Sequence, residues 1–216
     1  MYSHLIKLQK KLAKKVKITP FNKDINLIAG IDVSFSIKHS LCFCSIVILN
    51  KNLEIVEISN AHRKINLPYI PGLLSFRELP AIFLAYKKLK SHPDIFILDS
   101  QGIAHPRKLG LASHFGVVFN VPTIGCAKSK LVGKYKEPGH NKGDYTKLYH
   151  KNELVGYVLR SRTNVKPIFI SPGHLVDFES VLKIVLSTTC KYRIPEPTRQ
   201  AHISAEKYKN FVINKL

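Results

Sequence analysis

The sequence predicts a single α/β domain with a central mixed β-sheet flanked by helices. Three observations carry that prediction. Three apolar runs, 27–35, 42–49 and 53–63, follow one another across short polar breaks, as antiparallel neighbours do. Two more apolar runs, 94–100 and 123–129, alternate with helical periodicity, the pattern of parallel strands joined by crossover helices. The 216 residues are 45% hydrophobic, enough for one core, and no repeat or low-complexity linker divides them.

Residues 1–20 open the chain with a basic helix. Leu5, Leu8, Leu12 and Val16 recur at helical spacing, with Lys7, Lys10, Lys11, Lys14 and Lys15 between them. The stripe is expected to pack on the domain, and Pro20 ends the segment. The lysines interrupt any apolar core of a secretory signal, and no run is long enough to span a membrane. The first strand, LIAGIDVSF, is apolar on both faces up to Asp32 and is expected at the sheet centre. The cluster Asn50-Lys51-Asn52 suits a tight turn between the second strand and the third.

LPYIPGLLS, 67–75, reads as a loop, and a helix is expected over 78–89. DIFILDS is a buried strand ending in an Asp. A glycine-rich loop, 101–110, then leads to the short helix LASHFGVVF and the strand TIGCAKS. Residues 130–152 are rich in lysine and glycine and read as a mobile surface excursion. LVGYVLRS and PIFISPG read as a pair of strands, 174–188 as a helix, and the tail as a short final helix. Cys42, Cys44, Cys126 and Cys190 form no CxxC pair, which argues against zinc or redox chemistry and for a reducing, cytoplasmic setting.

Charge sets the partner class. Thirty-four Lys and Arg against 14 Asp and Glu give a net charge of +20, so a polyanion is the first partner to consider. It also makes each carboxylate in an apolar strand notable. Asp32 lies between Ile31 and Val33, and Asp99 ends another buried strand. A buried carboxylate costs several kcal/mol unless it is paired or binds a metal. Two on adjacent strands repel, and a divalent cation between them removes the conflict. Oxygen donors favour Mg²⁺ or Mn²⁺. A salt bridge or strand-end cap reads equally well for Asp99, less well for Asp32.

Glu78 has two readings. Ser75-Phe76-Arg77-Glu78 matches a capping box, but Pro80 would then be the fifth helical residue, where its missing N–H is felt. In the loop before it, prolines 68 and 71 stiffen the backbone around Tyr69-Ile70. Such a segment is either an apolar wedge for a base stack or a turn with the tyrosine packed on the core. The loop after Asp99 carries Gly102, His105, Arg107 and Gly110 at the carboxyl end of a strand, where α/β sheets bind ligands.

Taken in order, GIDVSF, PYIPGLLSFRELP, DIFILDSQGIAHPRKLGLASHFG, IGCAKSKLVG, ISPGH and YRIPEPTRQAH resemble the endonuclease V, or deoxyinosine 3′-endonuclease, family over residues 27–204. The resemblance implies a ribonuclease-H-like fold and a monomer. It implies Mg²⁺-dependent cleavage, with Mn²⁺ able to substitute, at the second phosphodiester bond 3′ to deoxyinosine in DNA. By motif position the implied metal ligands are Asp32, Glu78, Asp99 and His202, with Lys128 as the active-site lysine. The implied wedge is Tyr69 with Pro68, Ile70 and Pro71. The implied base pocket is Gly72, Leu74, Gly102, His105, Gly110 and Leu131. Ser100 departs from the glycine that often follows the strand-end Asp in this family. An inosine-specific ribonuclease of the same fold, and a binding module without catalysis, are the competing readings.

Overall fold

The computed structural model describes residues 2–216. An eight-stranded mixed sheet runs in the order β3-β2-β1-β4-β5-β8-β7-β6. The first three strands, β1 (Leu27–Ser36), β2 (Leu41–Asn50) and β3 (Ile55–Lys64), form an antiparallel meander. β4 (Ile95–Leu98) pairs parallel with β1, and β5 (Thr123–Ala127) parallel with β4. β8 (Ile168–His174), β7 (Glu153–Leu159) and β6 (Tyr145–His150) extend the other side antiparallel. This is the expected ribonuclease-H-like α/β arrangement, with the parallel strands at its centre.

Each face of the sheet has its own core. Ala29, Ile31, Phe96 and Leu98 pack against α2 (Leu74–Tyr86) and α3 (Leu111–Phe119) through Ala81, Ile82, Ala85 and Phe115. Ile28, Ile95, Ile97 and Ile124 pack on the opposite face against α4 (Phe178–Ser187) and α5 (Glu196–Ile213). Alternation along the strands puts Asp32 on the side of Ile28, and Asp99 on the side of Ile95 and Ile97. Both acids therefore belong to the α4/α5 side.

Several boundaries move. α2 starts at Leu74, not 78, with Leu73 before it and no side-chain cap, so no capping box forms. Ser75 instead bonds His114 Nδ1 at 2.9 Å. Pro80 becomes the seventh helical residue, still unable to donate to Phe76. α4 starts at Phe178 because Leu175 holds a left-handed φ of 51° and Asp177 caps the helix, accepting from the Ser180 N–H at 2.7 Å. α3 ends on Asn120 in the left-handed conformation.

Two elements are corrections of kind. The final helix spans 18 residues and lies along β1 and β2, so it is not short. Residues 130–152 are not a free excursion, because 145–150 form the edge strand β6. Lys134 adds an isolated bridge to Tyr149. In α1 (Ser3–Ala13) the packed face is also turned: Leu8 is exposed and Gln9 is the fully buried residue.

Candidate active site

β1 and β4 run parallel with Ile31 opposite Leu98, so the residues that follow, Asp32 and Asp99, emerge side by side. The Asp99 N–H donates to the Ile31 carbonyl at 3.1 Å, which extends the pairing to the acid itself. α5 completes this corner because Gly30 lets it approach. A Cβ on Gly30 would stand 1.9 Å from the Pro197 carbonyl oxygen. Five residues after Pro197, His202 reaches Asp32, Nδ1 to Oδ2 at 2.7 Å. From the other layer, α2 brings Glu78, only 7% exposed. Lys128, just after β5, forms an ion pair with Asp99.

The charges in this corner are strained in a consistent direction. Burial, and then the neighbouring Asp99, push the Asp32 carboxyl up, against the His202 hydrogen bond. Burial and then Asp32 push Glu78 up to about 8, with Arg77 opposing and Asp99 adding. Burial alone would depress the Lys128 ammonium, but the Asp99 hydrogen bond and charge outweigh it and raise the pKa. Two carboxyls pushed up by burial and by carboxylate neighbours, only partly offset by one lysine and one imidazole, form a site short of positive charge. The donors are hard oxygens plus an imidazole, a set that fits Mg²⁺ or Mn²⁺. As the side chains stand, no group of three or more His, Cys, Asp and Glu among the described residues is closed on a metal-binding geometry. Asp32 and Asp99 each turn an oxygen to His202 or Lys128 instead.

Beside Asp99 lies a cavity of about 200 Å³. Gly72, Leu74, His105, Gly110 and Leu131 line it, with Tyr69. Tyr69 is 65% exposed, so the reading that packs it on the core is excluded. Pro68 and Pro71 are exposed with it, and Ile70 is half-buried. Gly102 is a correction: it does not line the cavity. Its N–H donates to Ser171 Oγ at 2.9 Å, and a Cβ there would fall 2.1 Å from the Pro172 carbonyl oxygen. Its glycine serves backbone-on-backbone packing beneath the pocket. Burial, reinforced by Arg107, pulls the His105 imidazole down to about 4, so this wall is neutral at neutral pH.

Sequence reasoning missed what braces the cavity. Gln9 of α1, 0% exposed, donates to the Gly72 carbonyl at 2.9 Å and the Leu109 carbonyl at 3.1 Å. Arg107 donates to the Gly72 carbonyl at 2.7 Å and to Gln9 Oε1. Three segments distant in sequence are thus tied at one point: the basic helix, the Tyr69 loop and the loop after Asp99. Arg193 acts similarly behind Lys128, donating to its carbonyl and that of Pro167, each at 2.7 Å. Glu206, one turn beyond His202, accepts from Ser34 Oγ at 2.5 Å. A glutamine on the apolar side of a helix was the only local signal, and it named no partner.

Comparison with known proteins places this geometry. The Endonuclease V family model matches residues 10–203. The endonuclease V of Petrotoga mobilis is 50% identical over 206 residues, covering 95% of this chain and 92% of its own. The crystal structure of the Bacillus subtilis endonuclease V superposes with a TM-score of 0.95 at 31% identity, over 100% of this chain and 95% of that one. The endonuclease V of Ciona intestinalis, solved with a 24mer DNA containing an inosine followed by a ribo-adenosine, gives 0.83 at 28% identity, over 97% and 98%. No helix among the described residues is long and apolar enough to cross a membrane. The match of model, sequence and fold over nearly the whole length means that this chain belongs to the endonuclease V family of metal-dependent nucleases.

Proposed function

We propose that the protein is a DNA repair endonuclease that cleaves the second phosphodiester bond 3′ to deoxyinosine, using Mg²⁺ or Mn²⁺. The observation that carries the reading is the junction of two unlike sites. A corner where burial and neighbouring carboxylates push Asp32 and Glu78 up abuts a cavity with a neutral His105 wall, edged by an exposed tyrosine between two prolines. The cavity lies below the ~300–1,000 Å³ of drug-sized sites and is on the scale of a single base.

Asp32, Glu78, Asp99 and His202 would hold the cation. When bound, a divalent cation supplies charge to the phosphate and lowers the pKa of a water. A carboxyl held up at about 8 is ionised at neutral pH only against such a neighbouring charge, which is why Glu78 supports the assignment. Lys128, its pKa raised beside Asp99, keeps its proton and faces the developing phosphate charge. Hydrolysis adds water oxygen to phosphorus and breaks the bond to the 3′-oxygen. The products are a 3′-hydroxyl and a 5′-phosphate. Tyr69 fills the stack that the extruded base leaves, which offsets a cost of a few kcal/mol, less for a weakly paired base. The neutral His105 wall and the surrounding backbone read the base edge without charge.

The relative from Ciona intestinalis was solved with a strand in which a ribo-adenosine follows the inosine, so inosine-containing RNA is the second substrate to test. The deciding experiment incubates the protein with Mg²⁺ and an end-labelled duplex carrying one deoxyinosine. The expected nick falls one nucleotide beyond the lesion, is lost in EDTA and returns with Mn²⁺. A nick at any other bond, or one that persists in EDTA, overturns the reading.

A further inference from the structure

The edge of the sheet formed by β6 carries a surface that the reading above does not use. Along β6 the side chains of Tyr145, Lys147 and Tyr149 alternate outward, while Leu148 is buried against Val155, Val158 and Phe169. Residues 134–136 run beside this strand. The Lys134 N–H donates to the Tyr149 carbonyl at 2.7 Å, and the Tyr149 N–H returns to Lys134 at 3.0 Å. Thr146 Oγ donates to the Lys136 carbonyl at 2.5 Å. Between them lies an open groove of about 500 Å³, lined by Lys134, Tyr135, Lys136, Thr146, Lys147 and Tyr149.

Its chemistry is lopsided. No carboxylate among the described residues ion-pairs with Lys134, Lys136 or Lys147. The acids nearest in the chain are already engaged, Glu137 by Arg160, Glu153 by Lys108, and Asp144 by the Asn141 N–H at 2.9 Å. Tyr149 is 42% exposed within this cationic frame. Free ammonium groups around accessible aromatic rings suit a chain of phosphates carrying unstacked bases.

The groove is also continuous with the candidate active site, at two points. Lys130 and Leu131 line the base cavity, and the Lys130 ammonium sits 5.6 Å from the centre of the Tyr135 ring. Lys108, in the loop after Asp99, reaches the β6–β7 turn through Glu153. We propose that this groove is a second nucleic-acid track, which holds a single-stranded flank of the substrate strand as it leaves the active site. The tyrosines would stack bases and the lysines would contact phosphates. The proposal rests on the nuclease reading for the identity of the strand.

Binding without turnover tests it independently of cleavage. In EDTA, the full chain is titrated with two fluorescent deoxyinosine single strands, one confined to the lesion and the bond beyond it, the other extended on both sides. The wild-type protein is expected to bind the long strand more tightly. The double variant Lys134→Ala, Lys147→Ala changes only exposed side chains, so the fold is retained. It should lose that length advantage by roughly tenfold and lower the salt slope on the long strand by about 1.4, or ~0.7 per lysine. Affinity for the short strand should not change. Tyr149→Ala should weaken the long strand alone by about fivefold or more, with Tyr149→Phe restoring it. Equal affinity of the wild type for both strands, an unchanged double variant, or equal losses on both strands would each overturn the track. Failure of the wild type to nick deoxyinosine would instead overturn the nuclease reading, and leaves this binding test standing.

Discussion

The carboxylate corner and the base cavity touch, yet they are built by opposite means. The corner is set on the ends of β1 and β4 and on two helices, and its functional groups are charges held against their preference: Asp32 and Glu78 are both pushed up. The cavity is walled mainly by loops, and what ties two of them is a neutral glutamine donating to two backbone carbonyls, with Arg107 beside it. A rigid frame is needed where like charges must stay close, because a flexible one would let them separate. Loops suffice where recognition is by shape and hydrogen bonds, provided that something ties them. The contrast predicts that damage to the corner removes turnover and spares binding, and that damage to the brace does the reverse.

The largest effect should come from Asp32→Ala. Nicking of a deoxyinosine duplex should fall by at least about 10³-fold, some 4 kcal/mol of barrier, while affinity measured in EDTA stays near wild type. Substantial cleavage by the pure variant would break the division between the two regions. Gly30→Ala strikes the frame of the corner, since its Cβ would meet the Pro197 carbonyl oxygen at 1.9 Å. Urea denaturation should show a loss of about 1–3 kcal/mol, and turnover should fall further than deoxyinosine binding because α5 carries His202.

Gln9→Leu strikes the brace. It strands the Leu109 carbonyl and the Arg107 Nε–H, each at a cost of about 1–3 kcal/mol, and leaves the Gly72 carbonyl to Arg107 alone. The preference for deoxyinosine over deoxyadenosine, taken as a ratio of Kd values, should drop about tenfold at temperatures where the fold is intact. A proportional loss on both bases would make Gln9 merely structural.

The cavity side also carries a pH signature. Burial pulls His114, bonded to Ser75, down to about 4, as burial and Arg107 do for His105. The unfolded chain protonates these imidazoles near pH 6.5 and the folded chain only near 4. Their contribution to stability is therefore whole above pH 6.5 and is lost as the pH falls toward 4. Against His114→Gln, which lacks the titration, the urea midpoint of the wild type should decline through that window. Parallel pH profiles of the two proteins would contradict the assignment. The smallest effect is expected at Ser100, whose buried hydroxyl has no hydrogen-bond partner among the described residues. Ser100→Gly removes it, and deoxyinosine affinity should move by less than about threefold.

Much of the corner was legible in the sequence. An Asp between Ile31 and Val33, in a strand apolar on both faces, and another at the end of a buried run are conspicuous in a chain with only 14 carboxylates. That they belong to one site was implied by the family resemblance, and the parallel pairing of β1 with β4 is what makes them neighbours. Glu78 was ambiguous because its local pattern also satisfied a capping box, and only the true start of α2 at Leu74 removed that alternative. Gly102 was read by its motif as lining the cavity, whereas the approach of Pro172 makes it a packing residue. β6 was lost among lysines, because an edge strand with one solvated face has little apolar signal, and it is β7 that pairs it into the sheet.

By itself, then, the sequence determined the three antiparallel opening strands, the parallel half of the sheet and the two strand-borne acids, since each follows from periodicities a few residues long. Only the tertiary structure decided the length and seat of α5, the eighth strand and the Gln9 brace. Those depend on hydrogen bonds and close approaches between residues far apart in the chain, Gln9 to Leu109 and Asp32 to His202 among them. No local pattern encodes a partner a hundred residues away; the fold supplies it when it buries both ends of the bond.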